Sequence, residues 1–309
     1  MNTKTNPKVI LLFGPTGVGK TDLVDSLFSG RGEIISADSM QVYKYMDIGT
    51  AKPSRELLGR LPHHLIDIID PKEQFHTGEF TRRSETLISD ISSRDLVPVI
   101  SGGTGFYYKN FLFGMPGTPI ADLKIREELV EQLRCEGLGP LYDELSLIDP
   151  PTADRVAPAD SYRILRALEV YRTSGKPLSS YPPRVKIRED LELLIIGLDR
   201  ERRELYERID LRVEIMWERG LVSEFRALHD KGYRTDDPGM QGIGYGEFFR
   251  MLREPCLSLD GVKKLIQQNS RRYAKRQLTF FRKIPGVKWF HPEKDQDEIS
   301  RTVEAFLSA

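Results

Sequence analysis

The stretch VILLFGPTGVGKTDLVDSLF, residues 9–28, constrains this chain more than any other. Its apolar start reads as a buried strand, and Leu23, Val24, Leu27 and Phe28 recur at helical spacing after it. Between them, Gly14 to Thr21 fits G-x-x-x-x-G-K-[ST]. A strand that turns through glycines into a helix N-terminus belongs in a parallel sheet with helices packed on it. Along such a turn, formed by Gly14, Pro15, Thr16, Gly17, Val18 and Gly19, consecutive backbone N–H groups, of which Pro15 supplies none, converge on phosphate oxygens. Lys20 adds a point charge, and the Thr21 hydroxyl can hold Mg²⁺. The motif is the usual mark of ATP binding, yet the loop specifies only two linked phosphates.

Further short apolar runs, EIISAD (33–38), HLIDI (64–68), VPVISGG (97–103) and LLIIGL (193–198), alternate with helix-length segments. They predict an α/β fold, a P-loop NTPase-like parallel sheet flanked by helices. From about residue 120 the pattern changes. DLKIREELVEQLRC and DSYRILRALEVYRTSG have helical spacing with no strand between them, the second opening on Asp160 and closing on Gly175. The expected organisation is a core domain of residues 1–119 and 191–309, including C-terminal helices, with a helical insert domain at 120–190.

A length of 309 residues fits one large domain or two modest ones at about 150 residues each. The 46 basic and 46 acidic residues balance, so no global charge argues for a nucleic-acid or membrane partner. Locally the chain is polarised. Asp122 to Asp160 is acidic, whereas Gly261 to Pro292 holds Lys263, Lys264, Arg271, Arg272, Lys275, Arg276, Arg282, Lys283 and Lys288 and no acidic residue. Cys135 and Cys256 lie far apart without a C-x-x-C pair, which argues against a zinc site and suits a reducing compartment, with the thiols buried or bystanders. The polar start MNTKTNPK is not read as a signal peptide, and no apolar run approaches the roughly 18 residues of a membrane span. A soluble, cytoplasmic monomer is expected.

Asp38 ends the second strand, and open α/β sheets bind ligands at the carboxyl ends of their strands. It can serve as a turn or cap residue, a second-shell Mg²⁺ ligand, or a general base.

GPTGVGKT, SADSMQVYKYMDIGTAKP, HHLIDI, SGGTGFYYKNFLFG, DRVAPADSYRILRALEVYRTSG, GIGYGEF and RRYAKRQLTFFRK occur in the order found in tRNA dimethylallyltransferases, the IPP transferase family, and the chain resembles them from about residue 9 to 290. The resemblance implies transfer of a dimethylallyl group from dimethylallyl diphosphate to the exocyclic N6 amine of the adenosine 3′ to the anticodon, position 37. The loop would hold a prenyl diphosphate, Mg²⁺ would assist, and a tRNA anticodon stem-loop would be the partner. Asp38 would be the base that removes the amine proton, with Thr21, Lys20 and Arg212 completing the catalytic set. Arg212 corresponds to the family's diphosphate-binding arginine, and Arg208, one helical turn earlier, shares its face.

In similar enzymes the turn Asp38, Ser39, Met40, Gln41 faces the tRNA, as do Thr104 and Arg126. So do Tyr162, Arg163, Ile164, Leu165 and Arg166 of the insert, and the region of Gln241, Gly242, Ile243, Gly244 and Tyr245; His63 matches a histidine near the active site. Arg163 and Arg166 lie on one helix face suited to phosphates. The basic and aromatic RRYAKRQLTFFRK resembles a nucleic-acid surface, although Leu278 and Phe281 also fit a core. Members often carry a basic residue where this chain has Gly246, TFFR replaces a Trp-containing form, and the Cys/His finger of eukaryotic relatives is lacking. Two other readings share part of the pattern: a P-loop small-molecule kinase using ATP, which would keep the loop and fold, and an RNA-binding module, which would not need Asp38.

Overall fold

The computed structural model describes residues 6–115, 117–119, 122–182 and 184–309. The chain divides into two compact units, Met1–Phe111 with Arg188–Ala309, and Leu112–Ile187. The expected start of the insert, residue 120, and the first five residues lie outside the described residues.

The first unit is built on a parallel sheet of β1 (Lys8–Phe13), β2 (Gly32–Ala37), β3 (His63–His64), β4 (Val97–Gly102), β5 (Glu192–Leu198) and β6 (Lys288–Phe290), in the order β3-β2-β4-β1-β5-β6. Helices α1 (Lys20–Phe28), α2 (Arg55–Arg60), α3 (Thr77–Ser93) and α4 (Gly105–Phe113) belong to its first half. Side chains alternate across the sheet. Ile10, Leu12, Ile34, Val99 and Ile196 pack with Leu23, Val24, Leu27 and Phe28 of α1. Phe13, adjacent to Leu12 and so on the opposite face, stacks on Phe281 at 4.4 Å between centroids, which commits Phe281 to the core.

HLIDI does not form the five-residue strand its composition predicts. Only His63 and His64 pair, with Ile34 and Ile35, because Leu65 (φ 63°) and Asp67 (φ 57°) turn left-handed. The chain then pairs elsewhere: Asp67 N donates to Gln41 O at 3.1 Å and Ile68 N to Val42 O at 2.8 Å. The three-residue β6 carries too little pattern to be read in advance. Both cysteines are exposed, which removes the buried alternative for them.

The second unit carries helices α5 (Leu123–Glu136), α6 (Leu138–Ile148), α7 (Pro150–Ala153) and α8 (Ser161–Ser174). Asp160 accepts from Arg163 N and Gly175 takes the left-handed closing position at φ 68°, as the sequence predicts. Leu129, Leu141, Leu145, Ile164, Leu165 and Leu168 form its core. The first unit resumes with α9 (Arg202–Glu218), α10 (Leu221–Asp230), α11 (Gly246–Arg253), α12 (Leu259–Phe281) and α13 (Gln296–Ser308). Among the described residues no helix is long and apolar enough to cross a membrane.

Candidate active site

β1 ends at Phe13, and the phosphate-loop motif carries the chain into α1. Gly17 (φ 78°) and Gly19 (φ 106°) take left-handed positions that glycine alone adopts without strain, and a Cβ on Gly17 would stand 2.9 Å from Ile209. Gly14 and Pro15 serve through their carbonyls, each accepting from Lys20 Nζ at 2.9 Å. Thr16, Gly17, Val18, Gly19, Lys20 and Thr21 line a cavity of about 660 Å³ inside the first unit. Arg200, outside the cavity lining, donates through Nε to Val18 O at 2.7 Å, and Arg208, which lines the cavity, donates through Nε to Gly17 O at 3.0 Å.

Asp38, one residue past β2, lines the same cavity. Its Oδ1 accepts from Met40 N at 2.9 Å and Gln41 N at 3.3 Å, so it is a turn residue as well; among the described residues no hydrogen bond reaches Oδ2. Thr104 braces the turn, its Oγ1 accepting from Ser39 N at 2.9 Å.

Arg212 of α9 completes a charged trio. Burial, chiefly, and repulsion from Arg212 push the Lys20 ammonium down to about 7, and Asp38 pulls it back up. Burial likewise depresses Arg212, again opposed by Asp38. Two cations whose charge burial penalises, beside loop N–H groups at a helix N-terminus, form a site in which a bound anion is strongly favoured.

Ser39, Met40, Gln41, His63, Gln241, Gly242, Ile243 and Gly244 line the cavity too. His63 Nδ1 donates to Leu61 O at 2.8 Å, and burial lowers its pKa below the ordinary value. Tyr245 does not line the cavity: it is fully buried, and its phenol donates to Glu224 Oε1 at 2.6 Å. Ile164 and Leu165 also differ from expectation, because both side chains sit in the core of the second unit and offer an RNA nothing but backbone. Their neighbours Tyr162 and Arg163 are exposed, Arg163 pairing with Asp160 at 3.2 Å. Arg126 lies 5.7 Å from the Tyr162 ring centre, and Arg166 pairs with Glu169 at 3.1 Å.

Several lining residues carried no individual reading from the sequence. Tyr273, Arg276 and Gln277 reach the cavity from α12, and the spacing 273, 276, 277 inside RRYAKRQLTFFRK was the signal for one helix face. Gly49, Thr50 and Ala51 supply another wall. Among the described residues no group of three or more His, Cys, Asp or Glu could hold a metal ion. The Thr21 hydroxyl and the Asp38 carboxylate nevertheless suit Mg²⁺, which takes few protein oxygens and completes its shell with phosphate and water.

Loop amides, buried cations and a carboxylate share one cavity, an arrangement suited to an enzyme that acts on an anionic substrate. The chain belongs to the IPP transferase family, whose model matches residues 41–284. It is 44% identical to a tRNA dimethylallyltransferase of Geobacter sulfurreducens, over 97% of each chain, and 39% identical to one of Borreliella afzelii, over 94% of this chain and 97% of the other. Among solved structures it resembles the full-length tRNA isopentenylpyrophosphate transferase of Bacillus halodurans (39% identity, 98% and 97% coverage, TM-score 0.70). It also resembles a eukaryotic dimethylallyltransferase acting on tRNA (27% identity, 97% and 79% coverage, TM-score 0.82). These matches do not favour the kinase alternative.

Proposed function

We propose that this enzyme transfers a dimethylallyl group from dimethylallyl diphosphate to the N6 amine of adenosine 37 in the anticodon loop of tRNA. The observation that carries the reading is that Asp38 shares one cavity with Lys20, Thr21 and Arg212.

The adenine amine is a weak nucleophile because its lone pair is delocalised into the ring. As N6 bonds to the allylic C1, the C1–O bond breaks, its electron pair leaves with the diphosphate, and one N6 proton passes to Asp38. Oδ1 is held by two amides, which leaves Oδ2 to take that proton. The amine becomes acidic only as it attacks, so the proton leaves as the C–N bond forms. Stabilising the leaving diphosphate is the larger task. Loop N–H groups, Lys20 and Arg212 do this, with Arg208 at the rim of the loop. The Thr21 hydroxyl would hold Mg²⁺, which when bound would supply further neutralisation of that charge.

A loop nucleotide costs less to extrude than a paired one, which fits an anticodon-loop substrate. On this reading the Asp38–Gln41 turn, His63, Thr104 and the 241–244 wall receive the RNA. Arg126, Tyr162, Arg163 and Arg166 of the insert contact its backbone, and the protein works as a cytoplasmic monomer. Purified protein incubated with radiolabelled dimethylallyl diphosphate, Mg²⁺ and unmodified tRNA should label the RNA without ATP. No transfer, with ATP hydrolysed instead, would sink the proposal.

A further inference from the structure

The wall formed by Gly49, Thr50 and Ala51 is held from outside the cavity. Glu224 of α10 accepts from Asp47 N and Ile48 N through Oε2, each at 2.8 Å, and from Gly49 N through Oε1 at 3.0 Å. Three successive amides converging on one anion form the kind of nest that elsewhere binds phosphate; here the anion is a side chain. The Tyr245 phenol adds a fourth hydrogen bond at 2.6 Å. Burial, chiefly, and this carboxylate raise the phenol's pKa well above its ordinary value, so it stays a donor. The Tyr245 ring lies directly against Gly49, where a Cβ would meet it at 2.5 Å.

The clamp extends to the proposed base. Gln41 Nε2 donates to Thr50 O at 3.4 Å and Ala51 O at 3.3 Å, its Oε1 accepts from Ser36 Oγ at 3.1 Å, and its backbone N–H reaches Asp38 Oδ1 at 3.3 Å. Ala51 sits at φ 48°, a conformation a non-glycine residue keeps only where its surroundings impose it. Neither Glu224 nor Tyr245 lines the cavity. The phosphate loop has separate supports in Arg200, Arg208 and Gln277.

We infer that Glu224 is a positioning residue for the RNA side of the reaction: it fixes the 47–51 wall and, through Gln41, the turn that carries Asp38, without acting on the diphosphate side. The inference rests on the proposed function and assigns one substrate to one set of supports.

The test separates the two substrates. Glu224→Gln turns an NH₂ group toward amide donors, and Tyr245→Phe deletes only the phenol. For Glu224→Gln the KM for tRNA should rise about tenfold and kcat should fall, the loss of one charge-assisted hydrogen bond. The KM for dimethylallyl diphosphate, and the Kd for inorganic diphosphate by calorimetry, should not change. Tyr245→Phe should move the tRNA KM the same way, by roughly threefold, and carries the test alone if Glu224→Gln melts early. Unchanged tRNA kinetics, or tRNA and diphosphate terms worsening together, would overturn the inference while the unaltered enzyme stays active. An unaltered enzyme that transfers nothing would overturn the proposed function and this inference with it.

Discussion

The carboxamide of Gln277 accepts a hydrogen bond from the Thr16 amide at 2.9 Å. Its Nε2 donates to Gly103 O at 2.8 Å, so one buried side chain on α12 ties the phosphate loop to the end of β4. Gly103 has to be glycine for this, since a Cβ there would stand 2.3 Å from Nε2.

Gln277→Glu keeps an acceptor for Thr16 but cannot donate to Gly103 O, and it sets a negative charge beside the loop. The expected result is a rise of about tenfold or more in the KM for dimethylallyl diphosphate, with the tRNA KM little altered. Steady-state kinetics with each substrate varied in turn checks this, and an unchanged KM for the diphosphate would remove Gln277 from the loop's support. The pattern is the reverse of that expected at Glu224.

Asp38 holds a turn and faces the cavity, so Asp38→Ala removes two things at once. Asp38→Asn is the cleaner variant because its side-chain oxygen can still accept from Met40 and Gln41. It should lose about 10²–10⁴-fold in kcat with tRNA affinity retained. Single-turnover transfer with a filter-binding control measures both. Near-normal turnover in Asp38→Asn would mean that another group takes the proton.

The site was legible in the sequence wherever its residues are contiguous. The phosphate loop follows from its local pattern, whereas Asp38 and the pair Arg208 and Arg212, which line the same cavity, were singled out by a strand end and a shared helix face together with the family resemblance. Arg200, Glu224 and Gln277 were not legible, because their partners Val18, Asp47 and Thr16 lie 182, 177 and 261 residues away along the chain. The strands followed their apolar runs, except at 64–68. There the left-handed Leu65 and Asp67 are held by tertiary partners, among them Lys52 bonded to the Asp67 carboxylate, which no local pattern records. Tyr162, Arg163 and Arg166 were placed on a helix correctly, but Ile164 and Leu165 in the same run face the core, as a 3.6-residue period requires.

Glu169 joins the arginines of the second unit. Its side chain is 3% exposed, and its Oε2 lies 3.1 Å from Arg166 Nη1 and 3.8 Å from Arg126 Nη1. Among the described residues its buried Oε1 has no hydrogen-bond partner. Removing the charge leaves two partly buried guanidiniums without the counter-ion they share. Glu169→Gln should therefore destabilise the protein by about 1–3 kcal/mol, read from urea denaturation of the full chain. A variant as stable as the parent would show that solvent, rather than Glu169, neutralises Arg126 and Arg166.

Glu33 gives the fold a defined acid sensitivity. It is buried on β2 between Arg94 and His64, with Arg94 Nη2 at 2.8 Å and His64 Nε2 at 2.7 Å from Oε2. The Arg94 hydrogen bonds, chiefly, hold its carboxyl at about 2, against an ordinary 4.5. A carboxyl depressed in the folded state stabilises that state fully above its unfolded value and loses the contribution as pH falls through its folded value. The stability difference between the parent and Glu33→Gln should thus be constant from neutral pH down to about 5 and shrink toward zero between about 4.5 and 2. Its plateau should be on the order of 2 kcal/mol, reduced by the partial solvation of Arg94. Urea denaturation of both proteins across this range checks it, and a difference that stays level down to pH 2 would show that Glu33 is not the group whose protonation loosens β2.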